Sequence, residues 1–117
     1  MKIRNKFVTL IALGVVIFFK NYVIVIGQTK PVLVALNKTD ATLAIINPAT
    51  MKVTAKVPTG DSPHEVVLSA DGKTAFVANY GAQTPGNSLS VIDLATAKEL
   101  RRVDLSPLFR PHGIQMI

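Results

Sequence analysis

Residues 63–105 read PHEVVLSADGKTAFVANYGAQTPGNSLSVIDLATAKELRRVDL. Four short runs in this stretch alternate apolar and polar side chains, and turn-forming residues separate the runs. Alternation with a period of two is typical of strands with one buried face, and short turns favour antiparallel neighbours. The stretch therefore predicts a four-stranded antiparallel sheet, with strands at about 65–69, 74–79, 88–94 and 99–105.

The second half of this stretch has a copy upstream, at a constant offset of 46 residues. The matching positions are 43–47, 49, 50 and 52 against 89–93, 95, 96 and 98. A repeat of this length with four strands per unit is typical of a β-propeller blade. We therefore predict an all-β fold after an N-terminal hydrophobic signal or anchor helix. It contains about two four-stranded antiparallel blades of an incomplete propeller: blade 1 at about 32–58, blade 2 at about 63–105, and the start of a third at about 111–117.

Four residues are assigned to turns between these strands. Asp71 and Gly72 predict a tight hairpin, because glycine adopts a positive φ at little steric cost. Asn47 and Asp93 stand at the heads of equivalent turns, where a side-chain oxygen accepts a hydrogen bond from the backbone two residues on. A catalytic role for Asp71, Asp93 or Asp104 is disfavoured for the same reason.

Residues 1–27 have the pattern of an export signal. Lys2, Arg4 and Lys6 precede a 13-residue apolar segment, 7–19, which carries no charge. Lys20 interrupts the apolar run, which favours cleavage after Gly27 over a permanent membrane anchor. We therefore expect an exported protein in the periplasm, in the medium or on the cell surface. It would contact a membrane only through residues 1–27, if they are uncleaved.

The positive charge of the chain belongs mostly to this leader. The net charge is +6, and without the four basic residues before Gln28 the balance is nine Lys and Arg against seven Asp and Glu. A nucleic-acid partner is therefore disfavoured but left open. Arg101, Arg102 and Arg110 form a local cluster in the sequence, for which a solvated strand face is the favoured interpretation. The chain has no cysteine, so neither a disulfide framework nor a lipid-modified cysteine is available.

Residues 69–79, SADGKTAFVAN, resemble the YVTN-type β-propeller repeat family, with Phe76-Val77-Ala78-Asn79 at the place of its Tyr-Val-Thr-Asn tetrapeptide. Residues 90–93 with Thr96 and Lys98 are similar to the third strand and turn of that repeat. The resemblance covers about residues 32–114. It implies about seven blades, whereas this sequence holds fewer than two and a half, so we expect a fragment of a longer reading frame or a ring of several copies.

His64 and His112 are the candidate ligand-binding residues. Each follows a proline and precedes a predicted inner strand, at an offset of 48 residues, so both should face one end of the propeller channel. Imidazole binds metals and titrates near neutral pH, but packing within the turn is the plainer interpretation. Glu65 should point away from His64, since adjacent strand residues face opposite sides. Tyr80 and Phe109 either stack on a ligand or cap a blade edge.

The resemblance implies a non-enzymatic, exported binding or scaffold module for an unidentified protein or small molecule. The alternative is part of a propeller enzyme, a lactonase-like hydrolase or a redox-associated subunit, with a channel-facing site. The sequence contains no nucleophile elbow, phosphate-binding loop or dinucleotide fingerprint. We therefore expect no catalytic residue, metal or cofactor. Further blades or further copies would be needed to close the ring and to cover the apolar residues of the inner and middle strands, which are Val66, Val67, Phe76, Val77, Val91 and Ile92.

Overall fold

The structure is a computed structural model that describes residues 16–19, 22–25 and 30–117. The chain divides into two compact units, Met1–Lys30 and Pro31–Ile117. In the first unit, β1 (Val16–Phe19) pairs antiparallel with β2 (Tyr22–Val25). The other residues of the predicted leader lie outside the described ones, so the signal or anchor helix stays a prediction. Among the described residues, no helix has both the length and the apolar character needed to cross a bilayer.

The second unit contains two antiparallel sheets. Blade 1 has three strands in the order β3-β4-β5, and blade 2 has four in the order β6-β7-β8-β9. Their bounds are β3 (Leu33–Asn37), β4 (Thr42–Asn47), β5 (Lys52–Pro58), β6 (Pro63–Leu68), β7 (Thr74–Asn79), β8 (Ser88–Asp93) and β9 (Lys98–Asp104). Within each of these two sheets, every strand pairs with the next along the chain, as consecutive apolar-alternating runs predict. The all-β propeller-blade fold is therefore confirmed, with one strand fewer in blade 1 than a full blade has.

The sequence repeat is also a repeat of backbone geometry. Met51 and Ala97, 46 positions apart, both adopt a positive φ, 55° and 53°, where the turn enters the next strand. The pairing of β4 with β5 is irregular at Ile45/Ile46, and that of β8 with β9 at the equivalent Val91/Ile92. The two blades therefore share the same turn and the same outer-strand irregularity.

The core lies between the two blades. Leu43, Ile45 and Val57 of blade 1 pack against Ala75, Val77 and Ile92 of blade 2, and all six side chains are buried. Burial of this kind contributes roughly 25 cal/mol per Å² of apolar surface, so this interface is the main stabilising contact between the sheets. The expectation that Val77, Val91 and Ile92 need a further blade or copy to cover them is wrong. Blade 1 covers the face of blade 2 that carries Val77 and Ile92, and all three side chains are buried.

The hairpin between β6 and β7 depends on Gly72, whose φ is +67°. A Cβ built at Gly72 meets nothing within 4 Å, so backbone conformation alone restricts this position. Gly72→Val should lower the stability of the folded chain by about 1 kcal/mol or more, since a β-branched side chain disfavours positive φ. Gly72→Asn is the matched control with a smaller loss, because asparagine tolerates this region. Equal melting temperatures for Gly72→Val and the parent chain would contradict this account of the turn.

Candidate functional site

The candidate site begins at a β-bulge in the first residues of β6. Pro63 pairs with Asn79, and Glu65 pairs with the adjacent Ala78, so His64 is an extra residue opposite the partner strand. A bulge interrupts the strict alternation of side chains between the two faces of a sheet. The expectation that Glu65 points away from His64 assumed a regular strand at this point and is wrong, because donor atoms of the two side chains lie within 4.8 Å of each other.

Three aromatic rings meet beside this bulge. The ring of His64 lies with its centroid 4.8 Å from that of His112 and 5.1 Å from that of Tyr80. The Tyr80 and His112 rings contact edge to face, with centroids 6.2 Å apart. The structure thus brings together the two predicted ligand-binding histidines and one of the two aromatic candidates. We call His64, Tyr80 and His112 the ring cluster.

The segment that carries His112 is fixed by Arg110. The Arg110 backbone N–H donates to the Gly86 carbonyl at 2.6 Å, and its guanidinium donates to the carbonyls of Gly81 and Ala82. Arg110 has a φ of 56°, and Ser62, 48 positions earlier and also before a Pro-His pair, has a φ of 51°. Positive φ is uncommon for residues other than glycine. The repeated Pro-His segments are therefore introduced by the same unusual backbone conformation.

Two cationic groups lie over the Tyr80 ring. The Arg110 guanidinium carbon is 4.9 Å from the ring centroid, and the Lys38 ammonium nitrogen, from the loop after β3, is 5.9 Å away. Both distances fall within the range of cation–π attraction. Two positive charges therefore lie beside the ring cluster, at an aromatic residue whose isolated occurrence in the sequence did not indicate these contacts.

Glu65 supplies a carboxylate to the same place. Its Oε2 accepts hydrogen bonds from the backbone N–H groups of Gly113 and Ile114, and its Oε1 lies 3.4 Å from His112 Nδ1. The Ile114 hydrogen bond does most to lower the pKa of Glu65; partial desolvation opposes it, and the Gly113 bond and the nearby imidazoles add to the lowering. The side chain is therefore a carboxylate at neutral pH, and one of its oxygens is held in place.

A groove of about 380 Å³ adjoins the ring cluster on the side of His112. Its lining is mostly apolar and consists of Leu89, Leu105, Leu108, Phe109, Arg110, Pro111, His112 and Ile114. Phe109 is 60% exposed and contributes to this lining rather than to the ring cluster. The size and lining are within the range of small-molecule pockets, which combine apolar walls with a few polar groups.

The loop between the blades is held by Asn79, whose role the sequence did not indicate. Asn79 is 1% exposed; its Oδ1 accepts from the Gly60 backbone N–H at 3.0 Å, and its Nδ2 donates to the hydroxyls of Ser88 and Ser90, each at 3.1 Å. All the polar atoms of a buried amide are thereby satisfied. The final Asn of the tetrapeptide therefore fixes the crossing between blades, one residue before Tyr80.

The predicted turn residues and Arg102 have local partners outside the ring cluster, unlike Arg110. Asp93 Oδ1 accepts from the backbone of Ala95 and Thr96, and Asn47 Oδ1 accepts from Ala49. Asp71 Oδ1 accepts hydrogen bonds from the Lys73 backbone N–H and the Ser69 hydroxyl, and Asp104 Oδ1 accepts one from the Ser106 backbone N–H. Arg102 forms an ion pair with Glu99 on the same strand. Hydrogen bonds to the ionised form lower the pKa of Asp71, Asp93 and Asp104.

Comparison with known proteins identifies the fold family. The profile of the YNCE-like beta-propeller family matches residues 19–115, most of the chain. The chain belongs to this family. The propeller resemblance inferred from the repeated segments is thereby confirmed, and the two described blades are propeller blades. No curated protein sequence gives a significant match.

One solved structure similar to this chain is that of Kuenenia stuttgartiensis hydrazine synthase. The two share 27% sequence identity with a TM-score of 0.59, over 64% of this chain and 21% of the hydrazine synthase chain. The similarity thus spans about a fifth of that longer protein. It supports the propeller architecture of the matched region.

Proposed function

We propose that this chain is an exported β-propeller binding module that takes a small organic anion at the ring cluster. One observation supports this most directly: two cationic side chains, from separate loops, converge on Tyr80 beside the two histidines. A ligand carboxylate near Tyr80 meets the positive charges of Arg110 and Lys38, which together outnumber the single negative charge of Glu65. The apolar part of such a ligand can occupy the neighbouring groove.

The arrangement fits binding better than turnover. Glu65 is an acidic side chain beside the ring cluster, and two backbone N–H groups occupy one of its oxygens. Its lowered pKa makes it a weak proton acceptor near neutrality, whereas efficient general bases have a pKa near the working pH. The charged and aromatic side chains of the described residues thus suit ligand binding better than proton transfer by an acid–base pair.

Intrinsic tyrosine fluorescence offers a direct test, because the chain has no tryptophan and Tyr80 is the tyrosine outside the leader. Titration with mono- and dicarboxylates and with sugar acids should give a saturable change in emission for at least one class. Arg110→Gln should weaken that binding by about tenfold, as expected for loss of a charge-assisted contact. Arg101→Gln, on the exposed outer strand, is the matched control and should bind like the parent chain. No saturable change with any anion, or equal loss in both variants, would contradict the proposal.

Export is the second part of the proposal, and it rests on the basic and apolar pattern of residues 1–27. Expressed in a bacterium, the protein should be recovered outside the cytoplasm with an N-terminus near Gln28. N-terminal sequencing of the exported fraction measures this. Soluble cytoplasmic protein that still begins at Met1 would contradict the export proposal without affecting the binding site.

A catalytic role is the second candidate, since one similar structure is that of an enzyme, hydrazine synthase. The alternatives are part of a lactonase-like hydrolase or a redox-associated subunit. Incubating the chain with sugar-acid lactones and measuring the acid released at constant pH distinguishes a hydrolase from a binding module. Turnover that is lost in Glu65→Gln would favour the enzyme.

A further inference from the structure

We propose that His64, Glu65 and His112 form a binding site for a divalent transition-metal ion of the zinc class. The inference goes beyond the proposed organic ligand and does not depend on it. One donor atom from each of the three side chains lies within 4.8 Å of the other two. Two imidazole nitrogens and one carboxylate oxygen are ligands that Zn²⁺ accepts, at about 2.0–2.2 Å from the ion.

The spacing suits closure around an ion with small side-chain movements. Ligand atoms about 2 Å from a tetrahedral ion lie roughly 3–3.5 Å apart. His112 Nδ1 and Glu65 Oε1 are already 3.4 Å apart. The largest separation in the set is 4.8 Å, and His112, whose side chain is 59% exposed, has room to rotate. The backbone positions that deliver the ligands, the bulge at His64 and the turn at Arg110, need not move.

The neighbours of Glu65 orient it as a ligand. Its Oε2 is occupied by the backbone N–H groups of Gly113 and Ile114, which leaves Oε1 directed at His112. Hydrogen bonds of this kind to the second atom of a ligand group fix its orientation in metal sites. The same two hydrogen bonds favour the ionised carboxylate, the form that binds metal.

The ligand set also selects among metals. Two nitrogen donors with a single carboxylate suit Zn²⁺, Ni²⁺ or Cu²⁺ rather than Ca²⁺ or Mg²⁺, which take mainly oxygen ligands. Three protein ligands leave at least one coordination position for water or for another donor. The site therefore has the composition of an exchangeable zinc centre rather than of a closed structural one.

The first experiment is equilibrium dialysis of the untagged 117-residue chain against Zn²⁺, with Mg²⁺ in excess. One Zn²⁺ per chain should bind saturably, and His64→Gln and His112→Gln should each weaken the affinity at least tenfold. Glu65→Gln should weaken it by about tenfold, since the amide still accepts a hydrogen bond but carries no charge. Glu99→Gln is the matched control, because the same change is made away from the cluster. Absence of saturable binding, or equal affinity in the histidine variants and the parent, would overturn the proposal.

A second measurement avoids variants that fail to fold. X-ray absorption of the zinc-loaded parent chain counts the imidazole ligands, and the chain contains two histidines. Two imidazoles on the ion are expected; none or one would overturn the site. Lys38→Gln should keep the zinc affinity of the parent chain, because Lys38 supplies no ligand and the variant keeps the Tyr80 fluorescence that reports anion binding. Loss of organic-anion binding in that variant, with zinc affinity unchanged, separates failure of the proposed function from failure of the metal site.

Discussion

Gly60→Ala should lower the stability of the folded chain by about 2 kcal/mol, a drop in melting temperature of roughly 8–16 °C for a domain of this size. A Cβ at Gly60 would lie 2.5 Å from Cγ of Asn79, which is buried and held by three hydrogen bonds. Asn79 cannot retreat without losing those bonds, so the added methyl group must displace the loop between the blades. Thermal unfolding followed by circular dichroism measures the effect, with parent and variant compared in the same assembled form.

A double-mutant cycle distinguishes this steric cause from a general backbone effect. Asn79→Ala alone should destabilise by about 1–3 kcal/mol, because it leaves buried polar groups unpaired. In that background Gly60→Ala should cost much less than in the parent, since the obstructing side chain has been removed. The same cost in both backgrounds would show that Asn79 is not what restricts residue 60.

Most of the fold could be predicted because it depends on local patterns. The strands were predicted to within one or two residues, because alternating apolar residues and turn formers mark them directly. The constant offset of 46 residues predicted equivalent blades, and the equivalent positive φ at Met51 and Ala97 shows that the repeat extends to backbone detail. Burial was harder to predict, because alternation separates the two faces of a sheet without telling which face a neighbouring blade covers.

The candidate site could be predicted only in part. The repeated Pro-His pair identified His64 and His112, which the structure places in contact. Glu65 was predicted to point the wrong way, because a β-bulge breaks the strand alternation beside it and bulges have no reliable signature in a single sequence. Tyr80 and Arg110 are 30 residues apart in the sequence but in contact in the structure. Local sequence patterns do not encode such long-range contacts.

Residues 28–117 alone should not form a stable monomer. Blade 1 covers one face of blade 2, but large apolar side chains remain exposed on other surfaces of both blades. Leu33 and Val53 of blade 1 are 45% and 51% exposed, and Leu100, Leu108 and Phe109 of the second blade region are 60% or more exposed. β3 and β6 also each have an edge without a partner strand among the described residues. Exposed apolar surface beside open strand edges favours association between chains.

We therefore expect this segment to be aggregated, partly unfolded or assembled into a multi-chain ring. Light scattering at two protein concentrations, combined with thermal unfolding, measures the outcome. Replacing both Leu33 and Val53 by threonine should reduce association between chains. Both residues lie on strands, and threonine keeps the preference for strands while it lowers the exposed apolar surface. Replacing Lys52 and Lys56 with glutamine on the exposed outer strand of the same blade is the control and should leave it unchanged. A monodisperse monomer of about 10 kDa that melts cooperatively would show that two blades bury enough apolar surface to stand alone.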